Sequence, residues 1–236
     1  MIKKNNPQTS FASRQVKNCV AKTSWLQQVN KIINWKPIER ILADIHPARK
    51  GRPAFDPVFM FKILLLQQWF NLSDPQAEAQ INDRISFKLF LGMDITDTGP
   101  DETTICRFRK EIGDKAERLL DEINRRQFLE KGIVVRTGTM MDASFIQAAA
   151  RPGNKKRGSK DQDATWGQRG NPLFKEDKER NKVIAKMRAN VERPFAIIKS
   201  KWGHIRARYF DQFRNEIHLY LLCIAYNMRR AYALLG

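Results

Sequence analysis

Apolar residues recur along the first part of the chain at spacings of three and four, which is the pattern of amphipathic helices. The spacing predicts helices over residues 24–34, 58–70, 73–92, 101–110 and 115–130. Residues 58–70 are apolar on nearly all sides, so they suit a helix buried inside a bundle. Ser73 and Asp101 stand where a helix start needs a side chain to cap free amide groups. The first part of the chain is therefore expected to be a helical bundle.

The pattern changes after residue 132. Residues 133–135 and 139–141 give the one β-rich signal, which ends at Asp142, and residues 151–175 read as a loop rich in Gly, Asn, Lys and Arg. Residues 176–201 and 216–234 are again helical in pattern, and Pro194 either kinks the first of these helices or separates two shorter ones. The fold class is predicted as mainly α, with an N-terminal helical bundle, one short strand or hairpin, and C-terminal helices.

Three segments follow from this organisation. Residues 1–54 form an N-terminal segment and linker, residues 55–131 a helical domain, and residues 132–236 a region with the basic loop 151–175 and C-terminal helices 176–236. The longest apolar run, residues 219–226, is too short to cross a bilayer, and we find no secretory signal. Three cysteines without a paired motif fit a reducing cytosol and no structural zinc.

The net charge of the chain narrows the classes of function that the protein can have. The 43 Lys and Arg exceed the 25 Asp and Glu, for a net charge of +18. The first 150 residues contribute +6 and the last 86 contribute +12. Such a field attracts polyanions, so the last third of the chain is the electrostatic end.

Two acidic residues lie where carboxylates could serve a metal. Asp142 ends the predicted strand, and Glu192 lies on a basic helix. On a continuous helix Arg188, Glu192 and Lys199 share one face. Two-metal phosphoryl transfer needs carboxylates that bridge the ions and cations that hold the phosphate. Asp142 as a turn or helix cap and Glu192 in a surface ion pair are the alternatives that spacing leaves open.

Longer motifs add a resemblance. The runs FDPVFMFKILLLQQW, ISFKLFLG and DETTICRFR resemble the N-terminal domain of transposases of the IS5 family of bacterial insertion sequences. The later run NKVIAKMRANVERPFAIIKSKWGHIRARY resembles the end of that family's catalytic domain. Its Arg, Glu and Lys signature falls on Arg188, Glu192 and Lys199, and MMDAS matches the family's first catalytic Asp at Asp142.

The resemblance implies an RNase H-like catalytic fold with a DDE carboxylate triad. It implies Mg²⁺ held by Asp142 and Glu192, with Lys199 and Arg188 as further catalytic residues. It also implies recognition of terminal inverted repeats in double-stranded DNA, which the enzyme cuts and rejoins.

The chain departs from the family pattern in two places. Ala185 stands where the family usually has Tyr, and only 49 residues separate Asp142 from Glu192, a much shorter interval than in the family. The aspartates in that interval are Asp161, Asp163 and Asp177, and none follows an apolar strand. We expect an internal deletion with its junction near residues 170–173, which removed the second catalytic Asp and the central sheet. Catalysis is then expected to be defective, because errors of about 1 Å cost about a hundredfold in rate.

Several cations are expected to contact phosphates and give salt-dependent DNA binding. They are Arg49, Lys50, Arg52, Arg107, Lys110, Lys155, Lys156, Arg157, Arg206 and Arg208. Arg107 and Lys110 lie on the polar face of a helix that is either a recognition helix or an ordinary solvated helix. For the linker cations, insertion into a minor groove competes with simple solvation.

The sequence therefore predicts a transposase-derived protein that holds DNA in the bacterial cytoplasm and associates with the nucleoid. The alternative is a non-enzymatic basic helical DNA-binding or interaction module, which could inhibit a full-length transposase. RNA binding is a third hypothesis. If the remaining elements fail to cover each other, the apolar faces of residues 183–198 and 217–228 are expected to drive self-association.

Overall fold

The computed structural model of the chain describes residue 15 and residues 24–45, 54–131 and 175–235. The chain divides into two compact units. The bundle unit comprises Met1–Thr137 and Asp211–Gly236, and the inserted unit comprises Gly138–Phe210. Within the described ranges the chain is mostly helical, with no β-strand beyond a single bridge residue, Ala54. The mainly α fold class is confirmed, and the predicted strand near residues 133–147 lies outside the described residues.

Nine α-helices are described, in chain order. They are α1 Trp25–Ile32, α2 Trp35–Leu42, α3 Pro57–Phe70, α4 Asp74–Asp83, α5 Ile85–Leu91, α6 Glu102–Ile112, α7 Lys115–Asp121, α8 Lys175–Ala196 and α9 Gln212–Leu235. A π-helical segment, Glu122–Phe128, continues α7, and a second one, Ile197–Lys201, continues α8. Of the helices, α8 belongs to the inserted unit and the others to the bundle unit.

Helix α3 is the centre of the bundle unit, as a sequence that is apolar on nearly all sides predicts. Its start is fixed by the Asp56 carboxylate, which accepts the Val58 amide at 3.2 Å, and it ends where Asn71 adopts a left-handed conformation with φ 50°. Helices α1, α2, α4, α5, α6 and α9 all pack against other members of the bundle, and α9 lies against α3, α7 and α1. Each large side chain buried in this core contributes about 1.5–3 kcal/mol.

The last helix completes the core made by the first part of the chain. The Trp69 indole donates a buried hydrogen bond to the Ala225 carbonyl at 2.8 Å. The face of α9 that includes Ile217, Leu221 and Met228 is buried. The bundle covers this face, so the condition under which residues 217–228 were expected to drive self-association is not met. None of the helices in the described ranges has the length and apolar character needed to cross a membrane.

Two helices end earlier than the apolar spacing predicts. The helix predicted over residues 24–34 stops at Ile32, and Asn34 caps a separate helix by accepting the Lys36 amide at 3.2 Å. The helix predicted over residues 73–92 starts with the expected Ser73 cap but is broken at Arg84, whose backbone is extended. The four-residue apolar spacing runs through this break, so periodicity gave no sign of it.

The long helix of the inserted unit answers the question that Pro194 raised. Helix α8 runs through Pro194 without separating into two helices, and its continuation widens into the π-helical segment. The compact units also group the helices differently from the predicted segments, because α9 belongs with the N-terminal helices.

Candidate nucleic-acid interface

The strongest positive region of the described residues begins near the C-terminal end of α8 and continues beyond it. We call residues 193–210 the basic segment. It holds five cations, Arg193, Lys199, Lys201, Arg206 and Arg208, and one histidine, but no aspartate or glutamate. The nearest acidic residues along the chain are Glu192 before it and Asp211 after it. A stretch of one sign raises the local concentration of anionic ligands.

Local backbone bonds fix the turn inside the basic segment. The Trp202 amide donates to the Ile197 carbonyl, and the His204 amide donates to the Ile198 carbonyl, both at 3.1 Å. Gly203 closes the helix with φ 75°, a conformation that costs a residue with a side chain about 1 kcal/mol. His204 and Ile198 are buried, so the chain is held at this turn and then continues without helical structure to Phe210.

Solvent reaches most of the basic segment's cations. Arg193, Lys201 and Arg206 are exposed, whereas Lys199 and Arg208 are half-buried. Two apolar side chains are exposed beside them, Ile205 and Phe210. The segment therefore offers positive charge together with apolar surface, which is the combination that nucleic-acid-binding surfaces use.

Helix α6 carries the second group of predicted DNA contacts. Arg107 and Lys110 are both exposed, as the helical stripe predicts. The same surface also holds exposed acidic residues, Glu111 among them, so its charge is mixed. We therefore rank α6 behind the basic segment as a site for a polyanion.

The start of α6 is negative. The Asp101 carboxylate accepts the Thr104 amide at 2.6 Å and the Thr103 hydroxyl at 2.8 Å. These hydrogen bonds, led by the bond from the Thr104 amide, hold the pKa of Asp101 below its usual value, and the charge of Arg107 adds to this effect. A carboxylate at this end is favourable for the helix dipole, but it repels phosphate.

A partly buried ion pair fixes the orientation of α6. Arg109, on the inner face, donates to both carboxylate oxygens of Asp74, and its Nη1 to Oδ2 distance is 3.1 Å. Gln67 joins the pair, because its Oε1 accepts from Arg109 at 2.9 Å and its Nε2 donates to Asp74 at 2.7 Å. This network ties α3, α4 and α6 together and leaves Arg107 and Lys110 facing outward.

The predicted catalytic residues are only partly within the described structure. Arg188 and Glu192 lie on α8, but their side chains, like all of Asp142, fall outside the described residues. Lys199 is half-buried and lies in the π-helical segment. A π-helical turn contains more residues than an α-helical turn. The angle around the helix axis between Glu192 and Lys199 therefore differs from the angle that a continuous α-helix would give.

A metal centre is not found among the described side chains, where no group of three or more His, Cys, Asp or Glu side chains could hold an ion. The predicted ligands Asp142 and Glu192 are outside that set, so the predicted metal site stays a prediction. The same holds for the DNA contacts predicted at Arg49, Lys50, Arg52, Lys155, Lys156 and Arg157, which also lie outside the described residues.

Sequence reasoning missed some exposed members of the basic segment. Arg193, Lys201, Ile205 and Phe210 were not among the predicted DNA contacts, although Arg206 and Arg208 were. The signal that could have found them is the absence of any acidic residue over 18 consecutive positions. A count of acidic residues in a sliding window detects this feature, whereas the net charge of the whole chain hides it.

Comparison with protein families finds two matches along the chain. Residues 14–111 match a family described as a transposase domain, DUF772, and residues 113–228 match the transposase DDE domain. No solved structure matches the chain. The two matches adjoin and together span most of the chain, and they identify a transposase-derived protein of an insertion sequence. The DDE domain implies the use of a divalent metal.

The DDE match does not form one compact body. Its first part, which includes α7, and its last part, which includes α9, belong to the bundle unit. Residues 138–210 between them form the inserted unit. The ends of the DDE match therefore fold with the helices of the preceding transposase domain.

Proposed function

We propose that this chain is a DNA-binding protein descended from an IS5-family transposase, in which an internal deletion has left strand cleavage and transfer defective. The ancestral reaction is metal-dependent transposition at terminal inverted repeats. The chain retains the ability to hold double-stranded DNA, and it does so in the cytoplasm at the nucleoid. Arg107, Lys110, Arg206 and Arg208 are the described members of the proposed DNA contacts.

The observation that carries DNA binding is the charge of the basic segment. Three of its cations are exposed in a stretch of chain that has no carboxylate to neutralise them. Phosphates of a duplex release counterions when such cations bind, which supplies most of the affinity at low salt. The transposase domain matches supply the partner, because transposases act on DNA.

The length of the inserted unit supports the loss of catalysis. An RNase H-like site needs central strands that hold its carboxylates, and such strands are near-continuous apolar runs. The 49 residues between Asp142 and Glu192 contain no such run. Without the sheet, the remaining carboxylates lack the rigid support that places metal ligands accurately.

Salt-dependent binding to a labelled duplex tests the DNA-binding part. A triple variant, Arg193→Gln, Lys201→Gln and Arg206→Gln, is expected to reduce the slope of log K against log salt by about 0.9 for each lost phosphate contact. The matched control changes three exposed cations of the bundle unit, Lys36, Arg40 and Arg118, to Gln and is expected to leave most of the slope intact. Equal slopes for both triple variants would mean that the basic segment is not the DNA contact. Stronger competition by single-stranded RNA than by single-stranded DNA of the same base sequence would support the RNA hypothesis.

Nicking of supercoiled plasmid in Mn²⁺ tests the loss of catalysis. The purified wild-type chain is expected to leave the plasmid intact while still binding it. Asp142→Ala and Glu192→Ala are run beside it as controls for contaminating nuclease. Nicking by the wild type that both variants lack would show a working metal site and would end the deletion proposal.

A second role, inhibition of a full-length transposase, is favoured by the completeness of the bundle unit. Its core is buried and α9 closes it through Trp69 and Ala225, so the unit can fold although catalysis is lost. Joint purification of the chain with a full-length transposase, together with reduced transposition, is the expected result. A chain that binds DNA but leaves transposition unchanged would contradict this role.

A further inference from the structure

The basic segment places two apolar side chains in solvent among its cations. The Phe210 side chain is 99% exposed and the Ile205 side chain is 66% exposed. Six of the ten other phenylalanines that the structure describes are buried, Phe61, Phe87 and Phe90 among them. An aromatic ring with no protein surface against it is therefore the exception in this molecule.

The turn at the end of α8 explains why Ile205 faces outward. His204 is buried and its amide is bonded to the Ile198 carbonyl, while the Ile205 amide bonds only as far back as the Gly203 carbonyl at 3.0 Å. The chain is held at His204, and the next residue begins the non-helical stretch. Exposure of Ile205 follows from this local geometry.

Phe210 does not stabilise the start of the helix that follows it. The Asn215 amide donates to the Asp211 carbonyl at 3.2 Å, so Asp211 is the N-cap residue of α9 and Phe210 immediately precedes it. An apolar residue at that position commonly packs on the fourth residue of the helix. Here that residue is Asn215, which offers no apolar surface for a ring, and the 99% exposure shows that no such contact forms.

We propose that Phe210 is a stacking site for an unpaired nucleobase, with the cations of the basic segment holding the phosphates of the same strand. This inference rests on the proposed DNA binding and names the form of DNA that this segment prefers, which is single-stranded or locally unpaired. Every base has a face that stacks on an aromatic ring, and the bases of an intact duplex have theirs covered. Arg206 is four residues from Phe210, or at most about 13 Å of extended chain, so it reaches phosphates adjoining a stacked base.

Charge argues for a nucleic acid rather than for a second copy of this chain. Each copy carries a net charge of +18, so two basic segments facing each other repel. A strand of DNA brings negative phosphates and apolar base faces together. It therefore matches both features of the segment at once.

The test compares binding of a labelled oligothymidine and of a labelled duplex to the full chain. Phe210→Ala is expected to weaken oligothymidine binding on the order of tenfold and to change duplex binding by less than about twofold. The salt slope should stay the same, because no phosphate contact is lost. Phe210→Trp should keep the affinity, and its fluorescence should be quenched when a base stacks on it.

Phe213→Ala is the matched control, since Phe213 is a partly exposed phenylalanine of the same region of sequence that lies on α9 in the bundle unit. It is expected to leave oligothymidine binding unchanged. Equal losses for oligothymidine and duplex with Phe210→Ala, or no loss for either, would overturn the stacking site. A shift from dimer to monomer with Phe210→Ala in sedimentation would overturn it as well, because the ring would then be a contact between copies.

The two proposals fail in different ways. If the wild type binds neither oligothymidine nor duplex in a salt-dependent manner, the proposed DNA binding is wrong. If duplex binding falls with salt and falls further in the cation triple variant, while Phe210→Ala has no effect on oligothymidine, only the stacking site is wrong.

Discussion

The two units use their positive side chains in opposite ways. In the bundle unit, Arg109 is paired with Asp74, and Lys62 lies over the ring of Trp35 at 4.4 Å from its centroid. Arg229 lies 4.0 Å from the ring centroid of Trp25. In the basic segment of the inserted unit, five cations occur without one carboxylate. Carboxylates and aromatic faces balance charge at these positions of the first region, whereas the second exposes Arg193, Lys201 and Arg206 to solvent, where a ligand can reach them.

This difference shows why net charge alone does not locate a binding surface. A cation held by a carboxylate or a ring contributes to the total of +18, but part of its field is already neutralised. Cations that lie in a carboxylate-free segment keep their attraction for phosphate. Changing a paired cation of the bundle core such as Arg109 should therefore lower stability, whereas changing the exposed cations of the basic segment should weaken binding.

The largest expected effect comes from opening the bundle core. Phe61→Ala removes a fully buried ring of α3 and should lower the free energy of unfolding by about 3–5 kcal/mol. Phe210→Ala, which removes an exposed ring, should change it by less than about 0.5 kcal/mol. Urea denaturation followed by circular dichroism measures both. Similar losses would contradict the contrast between the units.

Breaking the Arg109 network should have the next largest effect. Arg109→Met removes the hydrogen bonds that Arg109 donates to Asp74 and Gln67, and we expect a loss of about 2–4 kcal/mol, because the partly buried Asp74 carboxylate loses its charged donor. Arg107→Met on the outer face of the same helix is the control, with less than about 0.5 kcal/mol. The double variant Arg109→Met with Asp74→Leu should recover part of the loss. If Arg109→Met is as stable as Arg107→Met, the network does not hold α6.

Lys62 gives a pH-dependent prediction of smaller size. Burial lowers the pKa of Lys62 to about 8, although the nearby Asp56 opposes this change. The folded protein then binds fewer protons than the unfolded chain between about pH 8 and 10.5, so this group makes stability rise with pH in that window. The stability of the wild type relative to Lys62→Met should increase by about 1–3 kcal/mol across it.

The comparison with Lys62→Met removes a competing effect. Burial raises the pKa of the Cys223 thiol to about 11, so the folded protein keeps a proton that the unfolded chain loses above about pH 9. That group lowers stability as pH rises, but it is present in both proteins and cancels in their difference. Parallel stability curves for the two proteins would mean that the Lys62 ammonium is not perturbed.

The smallest expected effect on stability comes from two glycines that share one backbone conformation, one in each unit. Gly92 in the bundle unit has φ 76° and Gly203 in the inserted unit has φ 75°. Gly92→Ala meets no atom within 4 Å, so its cost is backbone strain alone, about 1 kcal/mol. We expect Gly92→Ala to lower the unfolding midpoint of the bundle. Gly203→Ala should instead increase cleavage by protease within the inserted unit and leave that midpoint nearly unchanged. An equal shift of the midpoint by both variants would mean that the units unfold together.

Much of the fold could be predicted from the sequence because its signals are local. The buried helix α3 follows from a sequence that is apolar on nearly all sides, and the capped starts at Ser73 and Asp101 follow from side chains beside free amides. The breaks at Asn34 and Arg84 were missed because one extended residue can interrupt a helix without disturbing the apolar spacing around it. The π-helical segments have no composition of their own that would reveal them.

Prediction of the candidate site was limited in the same way, because local sequence patterns do not reveal tertiary contacts. The exposure of Arg107 and Lys110 follows from the helical stripe, but the inward position of Arg109 depends on Asp74, which is 35 residues earlier. Phe210 would be assigned to a core by residue type, and its exposure depends on tertiary structure. The roles of Asp142, Glu192 and Arg188 remain predictions from resemblance, because their side chains lie outside the described residues.

The contact between Trp69 and Ala225 has a consequence for how the protein is made. These residues are 156 positions apart, and the core around α3 is closed only when α9 packs against it. Ribosomes add about 5–20 residues per second, so α3 waits on the order of ten to thirty seconds for its last covering helix. During that interval the nascent chain presents one of its most apolar helices to the cell, where chaperones and proteases compete for it.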